Sequence, residues 1–269
     1  MTALPSSPVL AATLDENNVA HLTMNRAKRH NAFNAELIAA LHEAFAALSD
    51  MKGVRAAVLT GAGKSFSAGA DLDYMKSAGS WSFEENQADG LRLSDMLESI
   101  ASCPLPVIAA AKGGVYGGGV GLVACADLAV AQRGTTFRLS EVRLGLTPAT
   151  ISPYVIAAVG ARRARHLFMT AEPFNALEAR SYGLIHTAAF DGRAADRQVA
   201  DWVKLILEAA PEAVADAKLL VNDYADRPIT DELRTDSARR IAERRASDEG
   251  KEGLTAFLDK RRPAWSPNG

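Results

Sequence analysis

The stretch Gly117-Gly118-Gly119-Val120-Gly121-Leu122-Val123-Ala124-Cys125-Ala126-Asp127 follows the apolar run Pro106-Val107-Ile108-Ala109-Ala110-Ala111, and its reading decides the fold. A strand here delivers its backbone into the open end of a helix. Glycine lacks a Cβ, so consecutive glycines let a ligand come within hydrogen-bonding distance of main-chain N–H groups. Those N–H groups are the unsatisfied donors of a helix start, at the positive end of its dipole. Such a place suits an oxyanion or a phosphate. A tight turn with close helix packing and no ligand is the plainer reading of the same residues.

Both familiar phosphate motifs fail. A Walker loop needs Lys followed by Ser or Thr, and here Val120 and Gly121 follow the glycines. A dinucleotide fingerprint begun at Gly117 and Gly119 lacks its third glycine and an early βαβ unit around it. The chain of 269 residues is long enough for one large domain or one domain with an appendage. With 48% hydrophobic residues, 23% charged residues and a net charge of −2, it has the composition of a globular protein without a global attraction for nucleic acid or an anionic membrane. Its basic cluster, Arg239-Arg240 and Arg244-Arg245, is interleaved with Asp236 and Glu243 and reads as a solvated helix face.

Cys103 and Cys125 sit among small and apolar neighbours without metal-ligand spacing, so they are expected as buried reduced thiols, and no metal site is expected. The start, Met1-Thr2-Ala3-Leu4-Pro5-Ser6-Ser7-Pro8, has neither the basic region nor the apolar core of a signal peptide. No apolar run of about 18 residues exists to span a membrane. A cytoplasmic location is the expectation.

Strands and helices alternate along the chain. Val9 to Leu14 and Val19 to Met24 flank Asp15-Glu16-Asn17-Asn18 and predict a hairpin. Asn34 can cap a helix whose apolar positions Leu37, Ile38, Leu41, Phe45 and Leu48 recur at helical spacing. Val54 to Thr60 predicts a strand closed by Gly61-Ala62-Gly63, after which Phe66-Ser67-Ala68-Gly69-Ala70-Asp71-Leu72 turns into a helix. Phe83 to Ile100 predicts a further helix, and Leu128 to Ala131 a strand. The junctions at Ala68-Gly69-Ala70 and Gly117-Gly118-Gly119 are of one kind, which implies a repeated β-β-α organisation with equivalent loops on one side. Beyond Ala149 the chain reads as mostly helical, including Pro211 to Tyr224 and Thr230 to Ser247, with a short strand at Leu184-Ile185-His186.

Three successive signatures, Asn25-Arg26-Ala27-Lys28-Arg29-His30-Asn31-Ala32-Phe33, Phe66 to Leu72, and Gly117-Gly118-Gly119 with Cys125-Ala126-Asp127-Leu128-Ala129-Val130-Ala131, resemble those of the crotonase (enoyl-CoA hydratase/isomerase) superfamily. The resemblance runs from about residue 9 to 262. It implies an α/β fold, a crotonase-type spiral of β-β-α repeats over residues 1–195 with a C-terminal helical trimerisation region over 196–269. It also implies an acyl-CoA substrate, a homotrimer or homohexamer, and no tightly bound cofactor, coenzyme A being part of the substrate. Two backbone N–H groups would polarise the thioester carbonyl, one from each small-residue loop. In this chain they fall at Ala70, or Ala68 on a shifted alignment, and at Gly118.

Hydration of an α,β-unsaturated thioester also needs a base for water and an acid for Cα. Related hydratases carry two glutamates. The second matches Glu141 in Phe137-Arg138-Leu139-Ser140-Glu141-Val142-Arg143-Leu144-Gly145-Leu146, whereas the first falls at Gly121, which cannot move a proton. A single carboxyl can perform both tasks in sequence, or shuttle one proton between Cα and Cγ as an isomerase does. The segment from Leu139 to Val155, together with Gly117 to Cys125, resembles the branch holding 3-methylglutaconyl-CoA and isohexenylglutaconyl-CoA hydratases, in which the first glutamate is likewise missing. Substrates of that branch carry a second carboxylate, for which Arg92, Arg143 and Tyr154 are candidates by position. For coenzyme A the resemblance implies contacts from Lys28, Ala68, Gly69, Asp71, Leu72 and Gly117, with Arg29 close by, and from Phe257 and Lys260 near the C-terminus, often in a neighbouring subunit's site. A non-enzymatic RNA-binding role is the third class; the acidic balance and the lack of a basic, aromatic-laced stripe weigh against it.

Overall fold

Asp15 makes the first turn. Its Oδ1 accepts the N–H groups of Asn17 and Val19, each at 2.9 Å, and so folds β1 (Leu10–Leu14) back on β2 (Val19–Met24) with Leu14 opposite Ala20. A computed structural model describes residues 4–266 of the chain. Asn34 caps α1 (Ala35–Asp50) by accepting the Leu37 N–H, and the apolar stripe of that helix lies buried from Leu37 to Leu48. The chain continues through β3 (Ala56–Gly61), α2 (Leu72–Ala78), α3 (Phe83–Ala101), β4 (Val107–Ala111), β5 (Gly114–Tyr116) and α4 (Gly118–Cys125).

Next come β6 (Leu128–Gln132), β7 (Thr136–Arg138), α5 (Ser152–Thr170), β8 (Phe174–Asn175), α6 (Ala176–Tyr182) and β9 (Thr187–Ala189). Helices α7 (Gly192–Glu208), α8 (Pro211–Tyr224), α9 (Asp231–Ala246) and α10 (Asp248–Leu258) complete the described chain.

Six strands form one sheet in the order β1-β2-β3-β4-β6-β9, parallel from β2 onward, and β5-β7-β8 form a second, smaller sheet. The central strands Ala-Ala-Val-Leu-Thr-Gly and Val-Ile-Ala-Ala-Ala are almost wholly apolar because both faces of the sheet are covered. On one face Leu22, Leu59 and Ala109 pack with Leu41, Phe45 and Leu97 of α1 and α3. On the other, Val19, Val58 and Ile108 meet Trp202, Val203 and Leu207 of α7. The expected division at residue 196 therefore falls inside a helix that belongs to the sheet's cover.

The short strand expected at Leu184-Ile185-His186 is displaced: pairing with β6 runs from Thr187 to Ala189. Gly183 ends α6 in the left-handed region, and the Leu184 and Ile185 N–H groups both close on the Ala179 carbonyl. Their buried side chains thus finish a helix before the strand begins. Strand β5 was not anticipated either, because three residues give too short a pattern to read. Both cysteines are free and buried, and burial pushes the Cys125 thiol upward. Among the described residues no helix is long and apolar enough to cross a membrane.

Arg239, Arg240 and Arg244 of α9 are neutralised rather than presented. Arg239 pairs with Asp236 and Glu243, Arg240 with Asp236 and Asp223, and Arg244 with Asp216 and Glu212, which stitches α9 to α8. Arg55, at the entry to β3, donates to the carbonyls of Ile206, Leu207 and Ala209 around the C-terminal end of α7, and to that of Trp265. Lys218 of α8 donates to Asp127 at 2.7 Å, and the same Asp127 oxygen accepts the Val107 N–H at the start of β4. The Lys218 side chain is only 10% exposed. Lys218→Ala should therefore lower the unfolding free energy by about 2 kcal/mol, the scale of a hydrogen bond to a charged group, in a denaturant titration. An unchanged midpoint would show that α8 is held by other contacts.

Candidate active site

Three backbone segments lie side by side beyond the C-terminal ends of β3 and β4. Phe33 donates to the Gly69 carbonyl at 2.6 Å and Asp71 donates back to the Phe33 carbonyl at 2.8 Å. Ser67 and Tyr116 are joined in the same manner, Ser67 N–H to Gly114 O and Tyr116 N–H to Ser67 O. Asn31, fully buried, anchors the assembly: its Nδ2 donates to the carbonyls of Ala62 and Ser65, and its Oδ1 accepts the Arg26 N–H. The spacing is too close for larger residues. A Cβ on Gly69, whose φ is +83°, would stand 2.9 Å from Tyr116 O, and one on Gly119 would stand 2.8 Å from Ser67 O.

This pairing leaves particular donors over. The Ala68 N–H is taken by His30 O and the Gly117 N–H by Arg138 O, both at 2.9 Å. The N–H groups of Ala70 and Gly118 have no acceptor among the described residues. Both line one cavity of about 350 Å³. Of the two alanines left open by the sequence, only Ala70 has an N–H free to meet an incoming oxygen.

Glu141 enters the same cavity from the turn that follows β7. Its Oε1 lies 3.1 Å from where a Cβ on Gly117 would be, so the carboxyl faces the glycine turn. Its Oε2 is buried without a hydrogen-bond partner among the described residues. Burial raises its pKa above the ordinary carboxylate range, opposed in part by its own backbone N–H. A half-buried acid with no cationic partner among the described residues has the chemistry to exchange protons with a molecule in the cavity.

The position of the absent glutamate is occupied by apolar packing. A Cβ on Gly121 would stand 2.4 Å from Cγ2 and 2.9 Å from Cβ of Ile151, which is 2% exposed. Leu97 closes the space from the α3 side at 3.5 Å. Gly121 is therefore required by Ile151.

The remaining expected residues divide. Ala68, Gly69, Leu72 and Gly117 line the cavity. Asp71 does not: 5% exposed, it caps α2 through the Asp73 N–H and pairs with Arg26 at 2.9 Å. Burial works to raise its pKa, but the Arg26 guanidinium and the Asp73 N–H outweigh that and hold it low. Lys28 is exposed on the turn Ala27–Arg29, and Phe257 and Lys260 stand at the end of α10, away from this cavity. Arg92 pairs with Asp89, and the Tyr154 hydroxyl donates to Glu98; neither lines the cavity, nor does the exposed Arg143. Sequence reasoning missed the wall made by Tyr74, Met75, Ala78, Asp89 and Leu93. Its signal is faint: Tyr74/Ala78 and Asp89/Leu93 are pairs at i, i+4 on α2 and α3.

Comparison with known proteins gives the family and the fold. The sequence profile of the enoyl-CoA hydratase/isomerase family matches residues 15–268. A crotonyl-CoA hydratase of Syntrophomonas wolfei is 32% identical over 249 residues, covering 92% of this chain and 94% of its own. The crystal structure of an enoyl-CoA hydratase from Shewanella pealeana superposes with a TM-score of 0.92 at 36% identity, covering 96% of both chains. Pseudomonas aeruginosa AtuE also superposes at 0.92, with 33% identity over 96% of this chain and 100% of its own.

Two measurements test the packing and the charge. Gly121→Ala should destabilise by about 1–3 kcal/mol through overpacking, and Ile151→Ala in that background should recover part of the loss. A neutral Gly121→Ala would mean that Ile151 moves freely. The folded state also holds the Glu141 proton more tightly than the unfolded chain does, so stability present at low pH is lost as pH rises through the raised folded value. Glu141→Gln lacks that loss. Its melting temperature should rise relative to wild type between acid and neutral pH, and a difference independent of pH contradicts the burial of the charge.

Proposed function

The chain belongs to the enoyl-CoA hydratase/isomerase family, and we propose that it adds water reversibly across the α,β double bond of an enoyl-CoA thioester, with Glu141 as its one acid/base group. The observation that carries this reading is the meeting, in one cavity, of two backbone N–H groups and one half-buried carboxyl whose buried oxygen, like those N–H groups, has no hydrogen-bond partner among the described residues. The thioester oxygen would receive the Ala70 and Gly118 N–H groups. As hydroxide forms a bond to Cβ, the Glu141 carboxylate takes the proton that water gives up, and the π electrons move through Cα to the thioester oxygen. Fixed donors hold that developing enolate, each contributing about 3 kcal/mol in sites of this kind. Glu141 then returns the proton to Cα, and the sum is one molecule of water added.

This chemistry asks for no metal or tightly bound cofactor, since coenzyme A arrives as part of the substrate. The coenzyme would lie along the segment from Asn25 to Asn31, with Lys28 near its phosphates. Phe257 and Lys260, which stand off this chain's own cavity, would serve a neighbouring subunit of a homotrimer or a pair of trimers. For the acyl group, 3-methylglutaconyl-CoA has little support: among the described residues no Lys or Arg lines the cavity, and its charged members are Asp89 and Glu141. A straight or branched chain without a distal carboxylate fits Phe33, Ile38, Leu93 and Ile151 better.

With Gly121 where a second glutamate would stand, the site also favours a second reading, in which Glu141 carries one proton between Cα and Cγ. Incubation of wild type and Glu141→Gln with a series of enoyl-CoA thioesters in ¹⁸O-labelled water separates the two. Expected is incorporation of labelled oxygen by wild type, cut about 10²-fold or more by the substitution. Undiminished turnover in the variant removes Glu141 from the mechanism, and double-bond migration without label makes the protein an isomerase.

A further inference from the structure

The wall of the acyl cavity built by α2 and α3 is apolar except at one place. Asp89 lines the cavity with its side chain 18% exposed, beside Tyr74, Met75, Ala78 and Leu93. Two donors hold its carboxylate, the Tyr74 hydroxyl and the Arg92 guanidinium, and both take the same oxygen, Oδ1. The Tyr74 ring is itself set edge-on against Trp81, at 5.5 Å and 80°. Burial and the acceptor Asp89 push the Tyr74 phenol up to about 12, so it remains a donor at all ordinary pH. Arg92 reaches Asp89 from the outer surface, its side chain 56% exposed. Oδ2 carries no hydrogen bond among the described residues, and it is not sealed from solvent.

A cavity-lining carboxylate that keeps one oxygen without a donor among the described residues discriminates between the groups that can approach it. A methyl group leaves it unpaired and strips away its water. A second carboxylate meets it as a like charge. A hydroxyl supplies the missing donor, and hydrogen bonds to charged groups are the stronger ones. We infer that Asp89 is a specificity-determining residue that selects acyl-CoA substrates bearing a hydroxyl group on the acyl chain away from the thioester, and refuses chains that end in a carboxylate. This inference rests on the enoyl-CoA reading of the cavity and names the substrate class within it.

The test compares enoyl-CoA thioesters of matched length, from four to ten carbons, that end in methyl, hydroxymethyl or carboxylate. At the length that reaches Asp89, wild type should favour the hydroxyl-ended chain over the methyl-ended one by about tenfold or more in kcat/KM, with the carboxylate-ended chain slowest. Asp89→Asn keeps an oxygen for Tyr74 and Arg92 and replaces Oδ2 by an amide donor. That variant should lose the hydroxyl preference and gain turnover of the carboxylate-ended chain relative to the methyl-ended one, a gain that misfolding cannot produce. End-group ratios that are flat in wild type, or unchanged in Asp89→Asn, overturn the inference. If no enoyl-CoA of any length is turned over, the catalytic reading fails by itself. The same three end groups on saturated acyl-CoA thioesters, measured by calorimetry on both proteins, then decide the selectivity.

Discussion

The site depends on how closely two backbones are allowed to approach. Ser67 and Tyr116 are linked strand to strand, and Phe33 is linked to Gly69 and Asp71 on the other side, so three chain segments form a small parallel ribbon. Within it, a β-carbon at Gly69 or Gly119 would collide with a neighbouring carbonyl. Main-chain pairing accounts for the donors of Phe33, Ser67, Ala68, Asp71, Tyr116 and Gly117, and it stops short of Ala70 and Gly118. The two open N–H groups are therefore a remainder of the ribbon's register rather than a feature of either loop. Because they belong to the backbone, they need no side-chain reorganisation when charge develops near them.

Charge management around the ribbon is uneven, and the unevenness is chemical. Asp71 and Asp127 are each held by a cation and a backbone N–H, and both tie loops or strands to their neighbours. Glu141 has neither kind of partner at its buried oxygen among the described residues. Ile151 fills the place from which a second carboxyl could have shared the work. The packing of α4 against the start of α5 thus excludes a side chain at 121, and an added glutamate there would bring strain before it brought chemistry.

Legibility in the sequence followed the range of the interactions involved. The hairpin at Asp15, the Asn34 cap and the helices from Phe83 and Pro211 are written in neighbouring residues, and they stand where local pattern places them. The strand expected at Leu184 is off by three residues because helix closure on Ala179 competes for the same backbone. Strands β5, β7 and β8 are only two or three residues long, and their pairing is entirely non-local. The cavity wall of Tyr74 and Asp89 escaped for a related reason: nothing nearby in sequence says that α2 and α3 turn those side chains to a common space.

By itself, the sequence determined the longer strands and helices of the first half, the two glycine-bearing loops and the single glutamate at 141, since these follow from backbone freedom, hydrophobic period and residue chemistry. Only the tertiary structure decided which alanine keeps a free N–H, because Ala68 and Ala70 differ solely in the partner that lies across from them. It also decided that Gly121 is packed rather than vacant, that Asp71 serves the scaffold, and that Asp89 lines the same cavity as Glu141. Each of those outcomes turns on distances between segments far apart in the chain, and no periodicity in the sequence encodes a distance.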